Sequence, residues 1–94
     1  MSSTSPVVRV LRIVNEKGLH ARASAKFVQC VERFKAEVKV TRGGETVGGN
    51  SIMGLMMLSA GPGTTITVSA TGADAEAAVA ALAELVGSKF NEEE

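Results

Sequence analysis

The chain has 94 residues, enough for one small hydrophobic core and too few for two, so a single domain over 1–94 is expected, with 1–6 and 91–94 frayed. Ten basic residues balance ten acidic ones, three of which are the terminal Glu92, Glu93 and Glu94, so the body is mildly basic. With no basic cluster interleaved with aromatics, this is not a nucleic-acid footprint.

No apolar run approaches bilayer length, and the lone Cys30 cannot form an internal disulfide. A cytoplasmic location without membrane insertion is therefore expected. Aromatic residues are limited to Phe27, Phe34 and Phe90, so the core must be built from Val, Ile, Leu, Met and Ala.

Val7 to Val14 is rich in β-branched residues and ends at Asn15-Glu16-Lys17-Gly18, a strand followed by a turn signal. From Leu19 the spacing changes, and Leu19, Ala23, Phe27, Val31 and Phe34 recur at three and four residues, predicting a helix over about 21–34. Ala36 to Thr41 alternates apolar and polar, a half-buried strand, and Gly43-Gly44 turns it into a hairpin with Glu45 to Val47. After Gly48-Gly49-Asn50, Ser51 can cap a short apolar helix from Ile52 to Leu58.

Gly61-Pro62-Gly63 closes that helix, and Thr65 to Thr71 alternates again as a fourth strand. Asp74 opens a last helix whose buried stripe would be Ala75, Ala78, Val79, Leu82, Leu85, Val86 and Phe90. The order is βαββαβα. Its economical solution is an α+β fold, one sheet with a polar face and helices packed on the other.

His20 is the single histidine and stands at the opening of the first helix. Free N–H groups and the positive end of the helix dipole make that place an anion site suited to phosphate. Arg22, two residues on, carries a planar cationic fork that can steady a phosphoryl group on the ring. Judged from residues alone, a plain cap or a surface histidine fits the same position. A metal site is disfavoured because no second His or Cys stands at ligand spacing, and no Gly-rich phosphate loop with a lysine is present, so no cofactor is expected.

Gly18-Leu19-His20-Ala21-Arg22 resembles the active-site motif of the HPr phosphocarriers of the phosphotransferase system, and Asn50-Ser51-Ile52-Met53-Gly54-Leu55-Met56 resembles their second signature. The likeness runs from about Val8 to Val86. It implies an open-faced β-sandwich of four antiparallel strands with three helices on one side. It also implies a carrier rather than an enzyme: His20 takes phosphate on Nδ1 from phosphoenolpyruvate-fed enzyme I, Arg22 stabilises it, and an enzyme IIA receives it.

By the same resemblance Ser51 matches a serine that a kinase/phosphorylase modifies in some relatives, and a plain N-cap is the alternative for it. Positions matching Ala25, Ile52, Met53 and Met56 contact the partner proteins, and flexible methionines suit a surface that meets several of them. Leu55 and Leu58 are expected in the core. A monomer with its site free is expected.

Ala23 stands where the family usually has proline, which loosens the first helical turn without abolishing the anion pocket. The Ala23-Ser24 pair, the run Leu55-Met56-Met57-Leu58 and the ending Phe90-Asn91-Glu92-Glu93-Glu94 are closer to the nitrogen-related branch than to sugar-transport forms. A reading of another class remains open: a regulatory binding module switched by phosphorylation that passes no phosphate on.

Overall fold

The computed structural model describes residues 5–91. Four strands, β1 (Val7–Arg12), β2 (Glu37–Arg42), β3 (Glu45–Gly48) and β4 (Thr65–Thr71), alternate with three helices, α1 (Ala21–Val31), α2 (Ile52–Met57) and α3 (Ala75–Gly87). The strands form one antiparallel sheet in the order β1-β4-β2-β3. The expected α+β order βαββαβα is the one observed.

The sheet's two faces follow the period-two alternation of its strands. Ile66, Val68 and Ala70 of the central β4 pair with Leu11 and Val7 on one side and with Val40 and Val38 on the other, facing the helices. Ala23, Phe27, Val28 and Val31 of α1, Leu55 of α2, and Ala78, Val79, Leu82 and Val86 of α3 close this core. Each large apolar side chain so buried contributes roughly 1.5–3 kcal/mol. The other face carries threonines, and there Val8 and Val10, opposite Ser69 and Thr67, are more than half exposed.

Several boundaries differ from the sequence reading. β1 stops at Arg12, yet Ile13 still exchanges hydrogen bonds with Thr64 and Gly63, so the pairing runs on into a turn. α1 ends at Val31 with Glu32 as its cap, because the chain tightens into shorter-range bonds from Arg33 to Cys30 and from Phe34 to Val31. Phe34 is consequently only partly buried, beneath the Arg33 guanidinium.

α3 ends at Gly87, where the Ser88 hydroxyl donates to the Leu85 carbonyl. Phe90 belongs to no continuation of its stripe. It reaches the core through a left-handed turn over Lys89–Asn91, at φ 58° and 0% exposure, and the Lys26 ammonium donates to its carbonyl at 2.7 Å. Leu85 is half-buried. The expected fraying falls mostly on residues 1–4 and 92–94, outside the described range, whereas Asn91 is held by an N–H bond to Ser88.

Candidate functional site

The chain reaches His20 through a constrained turn. Gly18 adopts a left-handed φ of 64°, and a Cβ there would lie 2.2 Å from the Ala60 carbonyl oxygen, so only glycine fits. The approach is close because the Leu19 N–H donates to that same carbonyl at 2.9 Å, tying the turn to the segment that leaves α2.

His20 then caps α1. Its backbone is extended (φ −76°, ψ −176°), its carbonyl accepts the Ser24 N–H at 2.8 Å, and its ring Nδ1 accepts the Arg22 N–H at 3.2 Å. A nitrogen that accepts a hydrogen bond presents its lone pair there, so the Nδ1 lone pair faces the amides of the helix N-terminus. The ring is partly exposed, and no acidic residue stands in the first turn of α1 to repel an anion. Arg22 is exposed and, among the described residues, its guanidinium has no carboxylate partner. Ala23 keeps a backbone N–H that proline would lack, and its side chain is buried.

Ser51 caps α2, with its hydroxyl accepting the Gly54 N–H at 3.0 Å. Ile52 is 40% exposed, Met53 70%, Met56 39% and Met57 66%, whereas Leu55 and Leu58 are buried as expected. Met57, not among the expected contact positions, extends this apolar patch. His20, Arg22 and the half-buried Ala25 belong to α1 and its N-cap, Ser51, Ile52, Met53 and Met56 belong to α2 and its N-cap, and the two helices pack against each other. The Arg42 guanidinium, donating to the Leu58 carbonyl at 3.1 Å, holds the C-terminal end of α2.

In the sequence Asn15 reads only as a turn residue, and Ser24 carries no structural signal. Both are fully buried and both bond to the carbonyls just before His20. A buried position for Asn15 has no signal in a lone sequence, because turn asparagines are ordinarily exposed.

Concavities of about 520 Å³ between the end of α1, β2 and β3, of about 600 Å³ between α1 and α3, and of about 460 Å³ between the start of β1 and the start of α3 are lined by none of the expected site residues. Among the described residues no cluster of His, Cys, Asp or Glu could hold a metal, and no helix is long and apolar enough to cross a membrane.

The architecture is an open-faced α+β sandwich whose first helix is capped by a histidine and whose second exposes apolar side chains. Residues 7–88 match the family described as the PTS HPr component phosphorylation site. The chain belongs to this family, the HPr phosphocarriers of the phosphotransferase system. It is 50% identical to phosphocarrier protein HPr of Neisseria meningitidis serogroup A over 84 residues, covering 89% of this chain and 94% of that one. It is 42% identical to phosphocarrier protein NPr of Shewanella violacea over 84 residues, covering 89% and 92%.

Among solved structures, HPr of Thermoanaerobacter tengcongensis superposes with a TM-score of 0.88 at 40% identity, covering 94% of this chain and 99% of that one. HPr of Bacillus anthracis superposes at 0.83 with 41% identity, covering 87% and 98%.

Proposed function

We propose that His20 is the residue on which this phosphocarrier holds its phosphoryl group, taking it on Nδ1 from phosphoenolpyruvate-charged enzyme I and handing it to an enzyme IIA protein. The observation that carries this reading is the Nδ1 lone pair directed at the N-terminal amides of α1. As the Nδ1–phosphorus bond forms and the bond to the donor breaks, the Arg22 N–H gives up the ring nitrogen and donates to a phosphoryl oxygen. The neighbouring first-turn amides and the Arg22 guanidinium share the remaining charge, which is how such transfers are accelerated. The phosphorus–nitrogen bond is labile, so the group leaves again without an enzymatic cycle on this chain, a carrier's role and not an enzyme's.

Ala25, Ile52, Met53 and Met56 form the docking face for both partners, and the exposure of Ile52, Met53 and Met56 suits recognition of protein surfaces. Ser51 is a second phosphorylation position, open to a serine kinase/phosphorylase, where charge would fall beside the docking face. The protein acts in the cytoplasm as a monomer with this face free. The nitrogen-related branch is the reading that the Ala23-Ser24 pair, the run Leu55-Met56-Met57-Leu58 and the run from Phe90 to Glu94 support.

The test is incubation with phosphoenolpyruvate and purified enzyme I, followed by intact mass and acid treatment. An acid-labile gain of one phosphate, absent in His20→Ala, is expected; labelling retained in His20→Ala would refute the assignment.

A further inference from the structure

We propose that Asn15 and Ser24 form a polar clamp that positions His20 for phosphoryl transfer, an inference that rests on His20 being the acceptor. Among the described residues these two are the buried polar side chains, each at 0% exposure. Each donates to one of the two carbonyls that immediately precede His20. The Asn15 Nδ2 amide donates to the Gly18 carbonyl at 2.9 Å, and the Ser24 hydroxyl donates to the Leu19 carbonyl at 3.1 Å.

The backbone completes the clamp. The Gly18 carbonyl also accepts the His20 N–H at 2.9 Å, the Leu19 N–H is held by Ala60 at 2.9 Å, and the His20 carbonyl accepts the Ser24 N–H at 2.8 Å. The peptide groups on both sides of Leu19 are thus fixed from opposite directions, one by a residue before the turn and one by a residue inside α1. Because the His20 ring meets the Arg22 N–H at a comparatively long 3.2 Å, its place at the helix N-terminus depends on where this backbone holds it.

Asn15 is also a poor choice for stability. Its Oδ1 is buried and makes no hydrogen bond among the described residues, a cost that an apolar side chain of similar size would avoid. A local rule broken next to a reacting group is the pattern expected of a residue kept for position rather than for stability. Phosphoryl transfer depends mainly on positioning, where a displacement of about 1 Å can cost on the order of a hundredfold in rate. Neither clamp bond involves a side chain of the docking face, so the transfer step should suffer rather than docking.

Asn15→Leu and Ser24→Ala test this on the full chain, with phosphoenolpyruvate and purified enzyme I as the phosphoryl source. Asn15→Leu removes the amide at nearly constant volume together with its unpaired acceptor, and Ser24→Ala removes one hydroxyl, which keeps the test decisive if the first variant folds poorly. The expected result is a kcat roughly tenfold lower in each, an unchanged KM for enzyme I, and a melting temperature of Asn15→Leu no lower than that of the parent. A merely structural role would lower stability and leave the kcat of the folded fraction alone, and that result, or a loss confined to KM, overturns the proposal.

Amide hydrogen exchange gives an answer independent of phosphate. Exchange at His20 and Arg22 should accelerate in both variants while α3 is unchanged, and unaltered exchange overturns the clamp. If the parent protein takes no phosphate on His20, the acceptor reading fails, and the exchange data still decide whether the clamp exists.

Discussion

Gly18→Ala should be among the most damaging single-methyl additions in the molecule. A left-handed conformation costs an L-residue about 1–2 kcal/mol, and Gly18 sits at φ 64°. The new Cβ would also stand 2.2 Å from the Ala60 carbonyl oxygen and 2.9 Å from the Gly61 Cα, both backbone atoms that cannot rotate away. Relieving that clash pulls Ala60 from the Leu19 N–H, and the lost hydrogen bond adds about 1 kcal/mol. The sum is about 2–3 kcal/mol, and at roughly 4–8 °C per kcal/mol for a domain of this size it lowers the melting temperature by about 8–24 °C.

Two other glycines separate the contributions. Gly43 has φ 56° with nothing within 4 Å, so Gly43→Ala should show the conformational cost alone, about 1 kcal/mol. Gly61 has neither a left-handed φ nor a close neighbour, so Gly61→Ala should change stability by less than about 0.5 kcal/mol. Thermal melting followed by circular dichroism, with urea titration for the free energies, ranks the three. If Gly18→Ala melts together with Gly43→Ala, the close approach to Ala60 does not constrain the turn, and the account of how His20 is delivered fails.

Arg22→Ala should slow phosphoryl acceptance roughly tenfold or more while leaving the melting temperature unchanged, since the side chain is exposed; equal rates in a rapid-quench assay would remove its role. Ser51→Ala should cost about 1 kcal/mol through the lost cap on Gly54, whereas Ser51→Asp can still accept that N–H and should keep stability while weakening turnover with enzyme I. An unaffected turnover in Ser51→Asp would leave the serine a cap and nothing more.

Burial pushes the Cys30 thiol up, with the Arg33 guanidinium pulling more weakly the other way. The folded state therefore holds this proton more tightly than the unfolded chain does. Its contribution to stability is present below the ordinary thiol range and lost as pH rises through and above it. Urea unfolding of the parent against Cys30→Ala between about pH 7 and pH 10 should show the difference, and parallel curves would contradict the burial.

The element types and their order were legible because each segment carries its own period. The alternation of Thr65 to Thr71 and the three-and-four spacing from Leu19 leave little freedom, and β4 has the predicted bounds. The ends were less legible, since they depend on competition between local bonds. Nothing in Glu32-Arg33-Phe34 forbids helix, yet tighter turns win there to turn the chain into β2. Phe90 is in the core, as its apolar character predicts, but through a left-handed turn rather than the helical stripe, because either geometry can bury the same side chain.

For the site, His20 and Ser51 stood out from the sequence because capping is a local matter, decided by a side chain and the amides within three residues of it. Which side chains of α2 face water, and how deeply the 15–20 turn is buried, depend on segments far apart in sequence. Met57 is exposed while Leu55 and Leu58 are buried because α2 lies against α1 and not because of any difference in their hydrophobicity. Asn15 is buried because the turn is drawn down onto the Ala60 segment. The elements and the chemistry available at two helix starts are written in local sequence; the packing of α1, α2 and the 15–20 turn aims that chemistry, since long-range contacts fix the position of a side chain whose local rotamers are otherwise free.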